Sequence, residues 1–147
     1  MLKKYPPIRG VTIINKIADA PMMRVMDHTP RFLALVNDAK SRIREVTLEQ
    51  ARARLAANPK AILLDVREES EWAAGHAVEA RHLGKGILER DLERMVPDPE
   101  TEILMYCGGG FRSALTCDAA QRMGYRNVLS VDGGYKAMVK AGWPMTK

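Results

Sequence analysis

Cys107 is the residue in this chain best placed to do chemistry. It follows the apolar run Glu102-Ile103-Leu104-Met105-Tyr106, which has the pattern of a buried strand. Behind it come Gly108, Gly109, Gly110, Phe111, Arg112 and Ser113. From Ser113 to Met123 the residues are good helix formers, and Gly124 provides the stop. A loop between a strand end and a helix start turns backbone N–H groups inward, and the positive end of the helix dipole adds to them. The glycines allow the backbone angles this needs. The atom at the focus is the Cys107 sulfur, and such surroundings favour a nucleophilic thiolate. Arg112 reads in two ways: as a guanidinium at the mouth that attracts an anionic donor, or as a brace holding the loop through a carboxylate.

The elements that must position this loop follow from the rest of the pattern. Thr29-Pro30 opens an amphipathic helix over about 30–43, with Phe32, Leu35, Val36, Ala39 and Ile43 on one stripe. That stripe packs either on its own domain or on a second subunit, so a homodimer contact through the N-terminal segment stays open. Glu45-Val46 reads as an edge strand, and Thr47-Leu48-Glu49-Gln50 as a capping box opening a helix to about Ala57. Strands follow at Ala61–Val66, Ala80–Leu83 and Asn127–Val131. Helices follow at Glu68–Ala74, Ile87–Val96 and Tyr135–Ala141. Short apolar strands alternating with helices of about ten residues predict an α/β fold. The expected architecture is a mostly parallel central sheet with helices on both faces, plus an N-terminal helical extension. Functional groups in such sheets gather at the carboxyl ends of the strands. Asp65-Val66-Arg67 and Cys107 both fall at such ends.

Composition narrows the function classes. Hydrophobic residues make up 46% of the 147 residues and charged residues 28%, ordinary for a globular chain. No stretch is long and apolar enough for a transmembrane helix, and no secretory signal is read at the N-terminus. Two cysteines do not make a disulfide framework, which favours a cytoplasmic setting. The net charge of +5 belongs to residues 1–46, which hold nine Lys/Arg against four Asp/Glu. These charges are dispersed, without a basic block or interleaved aromatics, so no nucleic-acid partner is expected. His76 and His82 lack a third ligand at metal-binding spacing, so no metal or cofactor is expected either. His28 has no evident partner and reads as a surface or helix-entry residue. Cys117 reads as a buried small hydrophobe, with a resolving partner for Cys107 as the alternative.

From about Arg44 to the C-terminus the chain resembles the rhodanese (sulfurtransferase) family in three segments. They are Asp65-x-Arg67-x-x-x-Glu71-Trp72-x-x-Gly75-His76, then Tyr106-Cys107-x-x-Gly110-x-Arg112-Ser113, then Asp132-Gly133-Gly134-Tyr135. The first departs after His76, where the family's usual proline and glycine are replaced within Ala77-Val78-Glu79-Ala80. The resemblance divides the chain into an N-terminal extension, 1–43, and a rhodanese-like domain, 44–147. It implies that Cys107 takes sulfane sulfur from a small-molecule or protein donor, holds it as a persulfide, and passes it to a thiol or other thiophilic acceptor. It places Gly108 to Ser113 in the substrate-binding loop and gives Asp65 and Arg67 a loop-orienting part. Related phosphatases and arsenate reductases carry a Cys-x5-Arg loop, one residue longer than the Cys-x4-Arg found here. Sulfur transfer is therefore the expected chemistry. A sulfur-relay module with little small-molecule turnover is the alternative, followed by a cysteine phosphatase or arsenate reductase.

Overall fold

A computed structural model describes residues 28–147. Its centre is a five-stranded parallel sheet of β1 (Arg44–Val46), β2 (Ile62–Asp65), β4 (Arg81–His82), β5 (Ile103–Tyr106) and β6 (Val128–Val131). The strand order is β1-β6-β5-β2-β4. β5 lies in register with β2, Leu64 opposite Met105, and with β6, Leu104 opposite Leu129. Cys107 therefore leaves the sheet from its middle strand. The five strands of this sheet point the same way, so the ends of β2, β5 and β6 form one edge, as the alternation of elements predicts.

Successive strand residues face opposite sides, and this divides the core into two layers. Leu64, Ile103, Met105 and Val128 pack beneath α4 (Leu88–Met95) and α5 (Phe111–Arg122). Leu63, Leu104, Tyr106, Leu129 and Val131 pack beneath α2 (Leu48–Ala57) and α6 (Gly134–Lys140). Leu63, Leu64, Ile103 and Leu104 are all at most 2% exposed, and each such burial contributes roughly 2 kcal/mol. That core makes the sheet edge a fixed platform for the loops.

Local signals account for most element ends. The Thr47 side chain accepts the Gln50 N–H at 3.1 Å while Gln50 accepts the Thr47 N–H at 2.9 Å, completing the capping box. α3 (Glu69–Ala74) ends at Gly75. Three expectations need correction. α1 spans Pro30–Lys40 and stops short of residue 43, because the chain must turn through Ser41 and Arg42 to enter β1. Thr29 also makes no side-chain cap; its carbonyl accepts the Leu33 N–H instead. The helix after the cysteine loop starts at Phe111, two residues before Ser113, because Gly110 takes the left-handed cap position with φ +100°.

α1 packs on α5, with Ala34, Val36 and Ala39 buried. Arg42 fastens the junction through two bonds to Asp118 of α5, at 3.0 and 2.8 Å. The Arg42 pair, reinforced by Arg122, holds the Asp118 carboxyl below its ordinary range. The rest of the N-terminal segment, including Val11 to Ile17 and the methionines near Pro21, lies outside the described residues. A two-residue strand β3 (His76–Ala77) pairs antiparallel with β7 (Met145–Thr146), which the sequence pattern did not signal. The divergent stretch after His76 is ordered by this pairing and by a bond from Trp143 Nε1 to Glu79 at 2.8 Å.

Candidate active site

The Cys107 sulfur sits at the floor of its loop, and the residue is 1% exposed. Two backbone amides donate to Sγ, that of Gly110 at 3.1 Å and that of Ser113 at 3.3 Å. Both belong to the start of α5: Gly110 is its N-cap and Ser113 lies in its first turn. The dipole and the free amides of that helix therefore converge on one sulfur. The Ser113 hydroxyl adds a third neighbour at 3.5 Å and lies 2.8 Å from the hydroxyl of Ser130 on β6. Gly108, Gly109, Phe111 and Arg112 are half-buried, so the loop that surrounds the buried cysteine reaches solvent.

A second helix holds the loop from the opposite layer. At the start of α6 the Tyr135 N–H donates to the Cys107 carbonyl at 2.7 Å and the Lys136 N–H to the Gly108 carbonyl at 3.1 Å. With those carbonyls held outward, the loop amides are left to face the sulfur. The contact requires glycine at position 134: a Cβ there would stand 2.4 Å from the Cys107 carbonyl oxygen, and φ is +53°. Gly133-Gly134 thus does more than turn the chain into the last helix; its second residue is the surface on which the cysteine loop rests.

Arg112 points to Glu71 on α3 and makes two bonds, at 2.7 and 3.0 Å. The Arg112 bonds hold the Glu71 carboxyl below its ordinary range. Asp65 and Arg67 form a separate buried unit. Arg67 grips both Asp65 oxygens at 2.7–3.1 Å and donates to the Gly75 carbonyl at 2.7 Å. Among the described residues this pair makes no direct bond to the Cys107 loop. It reaches it through Tyr135, whose ring lies 4.0 Å from the Arg67 guanidinium and whose amide holds the Cys107 carbonyl.

None of the three histidines bonds to the Cys107 sulfur. His76 stacks on Trp72 with ring centres 3.4 Å apart, and its Nδ1 lies 2.9 Å from the Trp72 carbonyl oxygen. His82 stacks on the same indole, and its Nε2 lies 2.9 Å from the Arg67 carbonyl oxygen. No group of three metal-ligating side chains occurs among the described residues. His28 does have partners: its ring lies 4.4 Å from Phe111 and 5.1 Å from Phe32. The N-terminal extension therefore touches the wall of the cysteine loop. Cys117 is fully buried and free, and burial pushes its thiol well above the ordinary range.

Sequence reasoning did not single out Ser130, although a serine inside the apolar strand Val128-Leu129-Ser130-Val131 is itself a signal of a buried hydrogen bond. It also left the carboxylate partner of Arg112 unnamed. Glu71 comes from a segment 41 residues upstream, and the approach of α3 to the loop depends on the sheet.

Comparison with known proteins agrees with this geometry. The model of the rhodanese-like domain matches residues 47–141. The chain is 30% identical over 103 residues to the thiosulfate sulfurtransferase GlpE of Tolumonas auensis, covering 70% of this chain and 90% of that protein. The solution structure of the polysulfide-sulfur transferase homodimer from Wolinella succinogenes superposes with a TM-score of 0.68 at 27% identity, over 78% of this chain and 86% of that one. A protein of unknown function from Rhodopseudomonas palustris, for which tyrosine phosphatase activity has been suggested, gives a TM-score of 0.69 at 27% identity over 85% of this chain and 99% of that one. With the cysteine loop, its two supporting helices and a family match over most of its length, this chain belongs to the rhodanese-like domain family.

Proposed function

We propose that the protein is a sulfurtransferase in which Cys107 carries the sulfur as a persulfide. The observation that carries this reading is the convergence of the Gly110 and Ser113 amides on Cys107 Sγ at the start of α5. In the first half-reaction the Cys107 thiolate attacks the sulfane sulfur of the donor. A new Sγ–S bond forms, the donor's own bond to that sulfur breaks, and its electron pair leaves with sulfite or a thiolate. In the second half-reaction a thiophilic acceptor attacks the outer sulfur, and the electron pair returns to Cys107. The helix-end amides stabilise the anionic sulfur at both stages.

The donor class follows from Arg112. Its charge is engaged by Glu71 at hydrogen-bonding distance, so the loop's own cation is offset before a donor arrives. A thiosulfate dianion gains little from such a neutralised pair, whereas a persulfide or polysulfide carries less charge and demands less of it. We therefore favour a protein or small-molecule persulfide, or polysulfide, over thiosulfate. The Cys-x4-Arg loop and the engaged guanidinium both weigh against phosphate chemistry, which needs several free donors around a tetrahedral anion.

The test is a donor panel of thiosulfate, glutathione persulfide and polysulfide, followed by intact mass and by thiocyanate release with cyanide. The expected result is one added sulfur on Cys107, loaded fastest by the persulfide or polysulfide, and absent in Cys107→Ser. If no donor adds sulfur while p-nitrophenyl phosphate or arsenate turns over, the sulfurtransferase reading is wrong.

A further inference from the structure

Ser130 stands in β6 between Leu129 and Val131 and is fully buried. A hydroxyl in the core of a sheet must use its proton, since a buried donor left unmet costs more than the bond itself contributes. Among the described residues its hydroxyl has one partner, the Ser113 hydroxyl at 2.8 Å. Ser113 is also fully buried, and its hydroxyl lies 3.5 Å from Cys107 Sγ. The three side chains form a row that is sealed at the Ser130 end.

The sealed end sets the direction of the row. Each hydroxyl has a single proton to donate. Were Cys107 to donate a thiol proton to Ser113, Ser113 would donate to Ser130, and the Ser130 proton would face no acceptor. In the reverse direction Ser130 donates to Ser113, Ser113 donates to the sulfur, and no proton is stranded. In that direction Cys107 Sγ would accept from three groups: the Gly110 and Ser113 amides, which donate to it at 3.1 and 3.3 Å, and the Ser113 hydroxyl 3.5 Å away.

We infer that Ser130 is a positioning residue for sulfur transfer, one that fixes the Ser113 hydroxyl as a donor toward Cys107 and so keeps the sulfur an acceptor of hydrogen bonds. The same row serves the inner sulfur of a persulfide, which carries no proton. The inference rests on Cys107 being the nucleophile of the proposed function.

The charged groups around the row are Arg112 of α5 with its partner Glu71 on α3, Glu45 in register with Ser130 on β1, and Asp118 of α5 with Arg42. The buried Cys117 thiol lies on α5 as well. None of them bonds to either hydroxyl, so their charges act alike in variants at position 130.

The experiment measures the rate at which iodoacetamide alkylates Cys107 across pH, by peptide mass, in wild type and in Ser130→Ala, Ser130→Thr and Ser130→Val. Thr and Val share a shape and differ by the hydroxyl, which separates the hydrogen bond from packing. The rise in reactivity should move to higher pH in the Ala and Val variants. At pH 7 their Cys107 should react about fivefold more slowly, the factor expected for one lost hydrogen bond, while Thr stays near wild type. An unmoved profile in Ser130→Ala, or Thr and Val variants that behave alike, overturns the inference. Alkylation needs no sulfur donor. A shifted profile in a protein that transfers no sulfur would therefore support the hydroxyl row while removing the sulfurtransferase reading.

Discussion

Arg112 and Glu71 hold each other across the mouth of the cysteine loop, 41 residues apart in sequence and joined by two hydrogen bonds of 2.7 and 3.0 Å. The pair ties α5 to α3 and offsets the charge of the loop's guanidinium. A guanidinium bonded to a carboxylate braces the loop and has less positive charge to give an incoming anion. The two roles open for Arg112 thus compete for the same five N–H groups, and the geometry favours the brace.

Glu71→Gln should shift that balance. With the carboxylate charge removed, Arg112 becomes available to anions, and KM for thiosulfate should fall several-fold while KM for an uncharged trisulfide changes little. The Arg112 bonds hold the Glu71 carboxyl below the ordinary value of 4.5, so its contribution to stability is fully present above that pH and is lost as pH falls through the lowered value. Denaturant titrations of the two proteins should differ at pH 7 and converge in acid. An equal gap at both pH values would show that the ion pair is not the source.

Gly134→Ala tests the platform under the loop. The new Cβ would meet the Cys107 carbonyl oxygen at 2.4 Å and the Gly108 carbonyl carbon at 2.9 Å, both backbone atoms that cannot step aside. Overpacking of this kind should cost about 1–3 kcal/mol in unfolding free energy. Because the displaced groups carry the cysteine, persulfide loading should fall much further than stability does. Gly124→Ala serves as the control, since its Cβ meets nothing within 4 Å although φ there is also positive.

Arg67 should matter for stability more than for chemistry. Its bonds to Asp65 and to the Gly75 carbonyl are buried, and removing one member leaves a buried charge without its partner. Arg67→Ala should cost roughly 3–5 kcal/mol, read from urea unfolding. The paired change Asp65→Leu with Arg67→Met should cost less than Arg67→Ala alone. A larger cost for the pair would mean that the ion pair stabilises beyond its desolvation.

Cys117 should be silent in the folded protein. It is fully buried and its thiol is pushed well up by burial, so thiol reagents at pH 8 should modify Cys107 and leave Cys117 untouched until the protein unfolds. Peptide mapping after alkylation reads this directly. A Cys107–Cys117 disulfide after mild peroxide treatment would restore the resolving role.

Removing residues 1–43 should destabilise the protein rather than trim it. α1 covers α5, burying Val36 and Ala39, and the cut also removes Arg42 from Asp118. The same cut takes His28 and Phe32 away from Phe111. A lower melting temperature and altered donor preference are expected together. An unchanged melting temperature would show that α1 is not part of the folded unit.

What could be read from the sequence depended on separation along the chain. The candidate nucleophile, the three glycines, the helix behind them, the capping box at Thr47 and the alternation of strands and helices all rest on neighbours a few residues apart. Local backbone preference and hydrophobic period encode such features directly. They were enough to establish a parallel α/β sheet with Cys107 at a strand end. The start of α5 at Phe111 was missed because a left-handed glycine can cap a helix without any side-chain signal. The rest of the site is a matter of what the sheet brings together. Glu71 meets Arg112, Ser130 meets Ser113, and Gly134 meets Cys107 only because β2, β5 and β6 end at one edge. Those contacts span 41, 17 and 27 residues, and no local pattern specifies a partner at that range. The sequence by itself singled out Cys107 as the candidate nucleophile; the tertiary structure decided which donors face its sulfur and that the nearby guanidinium is already engaged.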